Sequence, residues 1–467
     1  MRALGSLTTP CTVDEEQCVI SEGEPGTALY IVEDGACALE IGGRVVKAIV
    51  SGEVFGEMAV IDRQARTATV RATRPSRLLA LEAGALARFE RAEPAAALKL
   101  HKAIARQLTS YMRRADALYD RMDVLIVQDG GCAPGYDVVT AQLTRGLEQI
   151  GRQVFAAREG FKSLASGTAR DFCCLVHDRA LYERLEHLQG VIHSAAFAQA
   201  RGASFRSERY REFSQAELQR RAADHILTRR VNILIGIGGN GTFAGTNALS
   251  KLLPDSVKTF FVPVTIDSDL YGTECIGEHT GAMIGAEKIH CYVADARTHH
   301  RVYIIEMMGA EGGYHALHSC LGAGADLALL PSSRYEAARV VRGLERHRSA
   351  VIVVAEGYKR EERRAAGFSG NAAQYFWDEL LAAGLDPTRK VVCEGFSRDV
   401  RGAPPNYRDI TLAQRMARRL VALVLEGRTR VMPAILGASE GAIEFDDIRT
   451  DNSVESGLAE LANQLGA

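Results

Sequence analysis

The chain has 467 residues, too many for one ordinary core, so two or three domains are expected. Its 56 basic and 58 acidic residues leave a net charge of −2, which argues against non-specific binding to nucleic acid or acidic membranes. The ten cysteines show neither CxxC spacing nor a zinc-finger pattern, no apolar run reaches the length of a membrane span, and the N-terminus lacks a basic stretch followed by an apolar core. These features predict a soluble, cytoplasmic protein with reduced thiols. Cys37, Cys291 and Cys320 are expected to be buried in apolar elements, and the Cys173–Cys174 pair to serve packing rather than redox chemistry.

In chain order, the first 80 or so residues alternate short β-like runs with Gly-rich turns: Leu29 to Glu33, Cys37 to Ile41, Val45 to Val50, Ala68 to Ala72 and Arg77 to Leu81. That pattern predicts a small β-barrel or roll. Residues 83–121 turn helical, with Leu98, Leu100, Ile104, Leu108 and Tyr111 at helical spacing. From Asp123 the pattern changes again. An apolar strand, Val124 to Val127, leads through Gly-Gly to a helix opening at Pro134. Further strands are predicted at Ile233 to Ile237, Lys258 to Val264, Val302 to Met307, Ala325 to Leu330 and Ala350 to Ala355, with helices between them. Strand–helix alternation of this length implies an α/β domain built on parallel sheets. The boundary falls near Arg121, giving domains 1–121 and 122–467 with no low-complexity tract or internal repeat.

Between Phe55 and Val70 the chain reads Phe-Gly-Glu-Met-Ala-Val-Ile-Asp-Arg-Gln-Ala-Arg-Thr-Ala-Thr-Val. Gly56, Glu57 and Met58 can form a helical turn whose free N–H groups face an anion, and Arg66 can clamp the same anion bidentately. With the upstream Gly26-x-x-Leu29-Tyr30-Ile31-Val32-x-x-Gly35 segment, residues 20–115 resemble cyclic nucleotide-binding domains. The resemblance implies a β-roll followed by lid helices. It places Gly56, Glu57, Met58, Ala59, Arg66 and Thr67 around the nucleotide, with Glu57 on the ribose and Arg66 on the cyclic phosphate. Thr67 could contact a guanine amino group or the phosphate, leaving cAMP and cGMP both open. Tyr111 is a lid residue or part of the core. The family's leading helix is shortened here. The bland alternative is a cassette that has become a structural or dimerising module.

The larger part carries two glycine loops in strand–loop–helix context, Asp129-Gly130-Gly131-Cys132-Ala133-Pro134-Gly135 and Gly238-Gly239-Asn240-Gly241-Thr242. Either can bring backbone N–H groups close to phosphate. Thr265-Ile266-Asp267-Ser268-Asp269 follows an apolar strand and sets two carboxylates two residues apart, one able to take a hydroxyl proton and the other to help hold a metal–phosphate complex. Arg301-x-x-x-x-Glu306-x-Met308-Gly309 comes next. This ordered series resembles the phosphofructokinase family from about residue 123 to at least 436, which implies two α/β lobes with the active site in the cleft. Gly202-Ala-Ser-Phe-Arg-Ser-Glu-Arg-Tyr-Arg-Glu-Phe213 looks like the family's glycine-arginine segment, with Arg209 in the arginine position. By the resemblance, Asp267 is the general base on the C1 hydroxyl of fructose 6-phosphate, with Asp269, Thr265 and Arg209 also catalytic. Gly130, Gly131, Gly239, Asn240, Gly241 and Thr242 hold the donor phosphates, and Asp269 with Asn240 holds Mg2+. Arg301, Met308, Gly309, Glu356, Arg398 and Arg401 bind the sugar phosphate, Arg301 from a neighbouring subunit in bacterial members. A homo-oligomer, dimer or tetramer, follows from that sharing.

Several positions depart from the family. Asn240 stands for an aspartate, Ala310 for an arginine that stabilises the reacting phosphates, and Tyr136-Asp137 for Met-Asn. Arg206 or Arg211 could compensate for Ala310. Gly241 favours ATP, since pyrophosphate-using members carry an aspartate there, while Val264 matches neither group. Of two effector-site arginines in the first helix, one has become Ala141 and Arg145 remains, as if control had passed to the N-terminal domain. The leading reading is a glycolytic 6-phosphofructokinase-like kinase regulated by a cyclic nucleotide. The alternatives are a catalytically weakened sugar-phosphate and cyclic-nucleotide sensor or assembly subunit, or a pyrophosphate-dependent enzyme. A transcription regulator lacks a helix-turn-helix after the lid. The Gly-Gly-Asn-Gly-Thr loop is also similar to NAD and lipid kinases, but the Asp267–Asp269 segment and the arginines favour the sugar kinase.

Overall fold

In a computed structural model of the chain, described over residues 7–41, 44–61, 64–102, 104–105, 121–186, 188, 190–197, 201–205, 209–396, 398–450, 456–463 and 465, every strand proposed from sequence is present. Leu108, Tyr111 and Arg206 lie outside the described residues. Two compact units form: residues 1–119 with 180–191, and residues 120–179 with 192–467, the division falling after the first residue of strand Val191–His193. Among the described residues no helix is long and apolar enough to cross a membrane.

The first unit holds β1 (Thr9–Val13), β2 (Cys18–Ile20), β3 (Ala28–Asp34), β4 (Ala36–Ile41), β5 (Arg44–Val50), β6 (Val54–Phe55), β7 (Thr69–Ala72) and β8 (Ser76–Glu82). They make two four-stranded sheets, β1-β8-β3-β6 and β2-β7-β4-β5, with antiparallel pairing throughout the described ladders. Val32, Cys37, Phe55, Val70 and Leu78 alternate inward from both sheets into one core. β1, β2 and β6 escape sequence reading because, at five, three and two residues, each is too short to show a period-two alternation. The helical stretch after β8 is not continuous. Helix Ala83–Ala92 ends at Glu93, and helical structure resumes over 94–102, as Pro94 cannot donate to the preceding turn. Leu86, Phe89, Leu100 and Ile104 pack together, whereas Leu98, expected on the same face, is 53% exposed.

The second unit contains β9 (Val124–Gln128), β10 (Val154–Ala157), β11 (Phe172–Val176), β12 (Val191–His193), β13 (Ile233–Gly238), β14 (Lys258–Pro263), β15 (Val302–Met307), β16 (Leu327–Leu329), β17 (Ala350–Ala355), β18 (Val391–Phe396), β19 (Val431–Leu436) and β20 (Ser439–Glu444). One sheet has the order β12-β11-β10-β9-β13-β14-β19-β20, the other β16-β17-β15-β18. The second sheet is parallel throughout. The first is parallel from β10 to β19, but β11 and β20 run antiparallel, a departure from the all-parallel expectation. Central strands such as β9 and β13 are buried at every position because helices cover both faces. Helices Tyr136–Gln149 and Tyr407–Leu425 supply much of that cover through Leu143, Leu147, Met416 and Leu420.

Two local expectations change. The helix after β9 starts at Tyr136, not Pro134, because Gly135 caps it in the left-handed region at φ 104°. Cys37 and Cys320 are buried as expected, but Cys291 is exposed on helix Glu278–His299, whose buried apolar side chains are Ile289, Val293 and Ala296 instead. Cys173 and Cys174 are both buried in β11, consistent with packing.

Candidate active site and nucleotide cassette

The carboxyl ends of five parallel strands, drawn from both sheets of the second unit, line one cavity of about 780 Å³. Asp129, Gly130 and Gly131 follow β9, Gly239 to Thr242 follow β13, and Val264, Thr265, Asp267 and Asp269 follow β14. Ala310 follows β15, and Glu356 with Arg360 follows β17. A crevice outside the carboxyl ends of parallel strands is where open α/β sheets bind ligands.

The glycines are demanded by close approach. A Cβ on Gly131 would overlap Nη2 of Arg209 and lie 3.0 Å from Nη1 of Arg401, so two guanidinium groups converge on this loop. Arg401 Nη1 also donates to the Cys132 carbonyl at 3.2 Å. Gly130 adopts φ 105°, and a Cβ there would come within 3.1 Å of Thr242 Oγ1. The Thr242 and Tyr136 hydroxyls both donate to the Asp129 carbonyl at 2.8 Å, locking the first glycine loop to the second. Thus Tyr136 has a fixed structural use. Asp137 has one too, accepting from the Ser204 N–H at 3.0 Å and hydroxyl at 2.7 Å. Beside Gly241 the space is open for 4 Å.

Across the cavity, Thr265 Oγ1 accepts from the Asp267 N–H at 3.1 Å, and Asp267 Oδ1 lies 3.6 Å from Arg401 Nη2. Asp267 Oδ1 and Asp269 Oδ1 are shielded from solvent and have no hydrogen-bond partner. Desolvation raises the pKa of both carboxyls. Arg401 opposes the shift at Asp267, while the neighbouring Asp267 charge adds to it at Asp269, which is pushed up to about 6. Asp129 is likewise pushed up to about 6, chiefly by burial. Arg209, Ser268 and Ala310 all take φ of 50°, so three of the non-glycine residues with left-handed backbone cluster at the site and its carboxylate loop.

Of the sugar-side residues named from sequence, Glu356 and Arg401 line this cavity. Glu356 Oε2 accepts from the N–H groups of Gly309 and Ala310 at 3.4 and 3.3 Å. Arg401 ends the short helix Arg398–Arg401, while Arg398 is exposed and does not line the cavity. Met308 packs against the apolar core. Arg301 precedes β15, at the opposite end of that strand from Gly309 and about 20 Å away by strand geometry. It lies 3.9 Å from Asp295.

Sequence reading assigned no role to four residues of this cavity. Arg360 donates to Glu356 Oε1 at 3.0 Å and to the Ala310 carbonyl at 3.1 Å, bringing a cation to the position where Ala310 offers none. Phe161 and Phe213 stack at 4.3 Å in the cavity wall, and Asp129 adds a buried carboxylate. Arg211, weighed as a compensating cation, also lines the cavity.

In the first unit, Glu57–Ile61 is the expected helical turn, preceded by Gly56 at φ 75°. Arg66 is 6% exposed, and its two terminal nitrogens donate to the carbonyls of Gly56 and Ala28 at 2.6 Å each. A Cβ on Gly26 would overlap Ala59, and one on Gly56 would sit 2.7 Å from Arg66 Nη1, so both glycines make room for this guanidinium. Gly56, Glu57, Met58, Ala59, Arg66 and Thr67 share one small cavity, with Glu57 and Ala59 buried and Met58 and Thr67 exposed.

The family model for phosphofructokinase matches residues 123–424, and that for the cyclic nucleotide-binding domain matches residues 10–92. The chain is 28% identical over 352 residues to ATP-dependent 6-phosphofructokinase 1 of Clostridium perfringens, covering 73% of this chain and 98% of that one. To the ATP-dependent 6-phosphofructokinase of Listeria monocytogenes it is 30% identical over 353 residues, with the same coverage. Among solved structures, Saccharomyces cerevisiae phosphofructokinase superposes with TM-score 0.56 at 20% identity, covering 73% of this chain and 46% of the yeast chain. The pyrophosphate-dependent phosphofructokinase of Nitrosospira multiformis gives 0.58 at 18% identity, covering 72% of this chain and 86% of that one. The first of these family matches alone spans well over half of the sequence, and so the protein belongs to the phosphofructokinase family of phosphotransferases and carries a cyclic nucleotide-binding domain ahead of that region.

Proposed function

We propose that the second unit transfers the terminal phosphoryl group of ATP to the C1 hydroxyl of fructose 6-phosphate, and that cAMP or cGMP bound to the first unit regulates it. The observation that carries the reading is the facing of Asp267 and Asp269 by two arginines, Arg209 and Arg401, that converge over Gly131. Phosphoryl transfer needs positioning and charge neutralisation rather than a protein nucleophile, and this set supplies both.

In the proposed reaction Asp267 takes the proton of the sugar C1 hydroxyl. The freed oxygen bonds to the terminal phosphorus as the bond to the bridging oxygen breaks, and ADP leaves with that electron pair. Arg209 and Arg401 hold the phosphoryl oxygens against the Gly131 backbone, and Glu356 anchors sugar hydroxyls. The orphaned, solvent-shielded Oδ1 of Asp269 and the adjacent Asn240 suit Mg2+, which when bound neutralises donor-phosphate charge. Open space beside Gly241 favours ATP over pyrophosphate as donor, because an aspartate there would fill it. Arg301, remote from this cavity in its own chain, is assigned to the sugar phosphate of a second subunit in a homo-oligomer.

A second reading, a weakened sensor subunit, rests on the neutral Asn240 and on Ala310. Arg360 beside Ala310 favours the enzyme. The deciding experiment measures fructose-6-phosphate phosphorylation with Mg2+-ATP, with and without cAMP or cGMP, and with pyrophosphate as alternative donor. Turnover that moves with a cyclic nucleotide supports the regulated kinase; no turnover with either donor supports the sensor.

A further inference from the structure

The loop that carries Asp267 and Asp269 also borders a second cavity, of about 590 Å³, which shares Asp267 with the first and contains Glu274, Glu278, His279, Tyr314 and Arg408 in its wall. Here Glu274, Glu278 and His279 bring one ligand atom each to within 4.8 Å of one another. His279 Nε2 lies 2.7 Å from Glu274 Oε2 and 3.8 Å from Glu278 Oε1. The other ring nitrogen, Nδ1, faces the Tyr314 hydroxyl at 3.4 Å, leaving Nε2 directed at the carboxylates. An outer partner on the second nitrogen is the usual way a metal-binding imidazole is oriented.

An independent observation asks for a cation at this point. Glu278 is 3% exposed and its Oε2 has no hydrogen-bond partner. Nearby Asp409, fully buried, has an unpartnered Oδ1 as well, its other oxygen accepting from the Thr280 N–H at 2.7 Å. Three carboxylates, Glu274, Glu278 and Asp409, are thus set against His279 and Arg408. A buried carboxylate oxygen without a donor is unfavourable, and a cation bound beside it would relieve that.

We propose that Glu274, Glu278 and His279 bind a divalent transition-metal cation of the Zn2+ or Mn2+ class. One imidazole nitrogen with two carboxylates suits such ions, whereas Mg2+ takes oxygen ligands and keeps its water. With ligand atoms about 2.0–2.2 Å from the ion, the His279–Glu274 spacing of 2.7 Å has to open and the His279–Glu278 spacing of 3.8 Å to close, each by less than about 1 Å. The ion would join the far end of the Asp267–Asp269 loop to the first turn of helix Glu278–His299. It would also reach the end of β19, since Glu274 accepts from the Gly437 N–H at 2.7 Å and donates its own N–H to the Ile435 carbonyl at 2.7 Å. This site is separate from the Mg2+ position at Asp269 and would steady the carboxylate loop rather than take part in transfer.

The test uses the full chain, stripped with a chelator and titrated with Co2+ in excess Mg2+, and reads ligand-field absorption and bound cobalt rather than turnover. It therefore stands or falls apart from the kinase reading. One equivalent held against Mg2+ and displaced by Zn2+ is expected. His279→Ala and Glu278→Gln should each weaken it about 100-fold, while Asp269→Asn keeps it. Should either buried-site variant fail to fold, Glu274→Gln, at a side chain 20% exposed, gives the same comparison. No equivalent retained over Mg2+, or equal retention by His279→Ala or Glu274→Gln, overturns the site. Loading should also slow amide exchange across residues 265–277; unchanged exchange removes the steadying role.

Discussion

The two proposed anion sites of this protein are built in opposite ways. In the first unit, one twelve-residue stretch, 56–67, carries the turn, the acid and the arginine, and the guanidinium is already pinned by two backbone carbonyls. In the second, the carboxylates come from the ends of β9, β14 and β17 and the arginines from segments as far apart as Arg209 and Arg401, and several carboxylates are partly stripped of water. The first site draws its ligand-facing groups from one segment, with the Ala28 carbonyl of β3 helping to hold Arg66, whereas the second gathers them by tertiary assembly. Left-handed non-glycine backbone follows the same division, gathering at Arg209, Ser268 and Ala310. A local site should lose its ligand when one residue goes. A distributed site should show graded losses, except at the group that moves the proton.

That exception gives the largest expected effect. Asp267→Ala should lower kcat by about 10²–10⁴-fold with folding and substrate binding intact, the range that a general base contributes. Retained turnover would remove Asp267 as the base. In the cassette, Arg66→Ala should weaken cyclic-nucleotide binding by about 100-fold, the value of two charge-assisted hydrogen bonds. Calorimetry measures it directly, and unchanged affinity would place the nucleotide away from Arg66. A loss confined to a few-fold would mean that the cassette is less local than its geometry suggests.

The same contrast explains what could be read from sequence. The cassette's glycines, acid and arginine lie within reach of one motif, so both its fold and its candidate residues were legible. In the second unit each motif announced itself, and strands such as β13 and β14 stood out as apolar runs buried on both faces. Partners brought in by tertiary packing did not. Arg360 meets Glu356 at local i,i+4 spacing, but it meets the Ala310 carbonyl only through tertiary packing, and the surrounding Lys-Arg-Glu-Glu-Arg-Arg run reads as a solvated helix face. Phe161 and Phe213 are far apart in sequence, so nothing marked their stacking. β10, β18 and β19 were missed because their short apolar runs lacked a flanking motif or a clear period to separate strand from helix.

A graded loss is expected at Arg360. If it supplies the cation that Ala310 lacks, Arg360→Ala should reduce kcat by about 10–100-fold, less than loss of a donor aimed solely at the transition state. Ala310→Arg in the same background should recover part of the rate, measured as kcat with saturating donor and sugar. A loss without recovery would make Arg360 a positioning residue for Glu356, which it contacts at 3.0 Å.

The smallest and most discriminating effect concerns Asp129. Its carboxyl, held at about 6 mainly by burial, is protonated in the folded state over a range where an unfolded aspartate is ionised. Its contribution to stability is therefore full below the unfolded value near 4 and is lost as pH rises through about 6. Above pH 6 the ionised carboxylate sits beside the Gly130–Gly131 loop, where an anionic donor would bind, with Arg209 as partial counter-charge. Asp129→Asn should then lower the donor KM a few-fold at pH 8, have little effect at pH 5.5, and raise stability at neutral pH. If the donor KM rises instead, and the rise is relieved by added Mg2+, Asp129 is attracting the metal–donor complex. The carboxylate missing at Asn240 would then have been replaced across the same cavity.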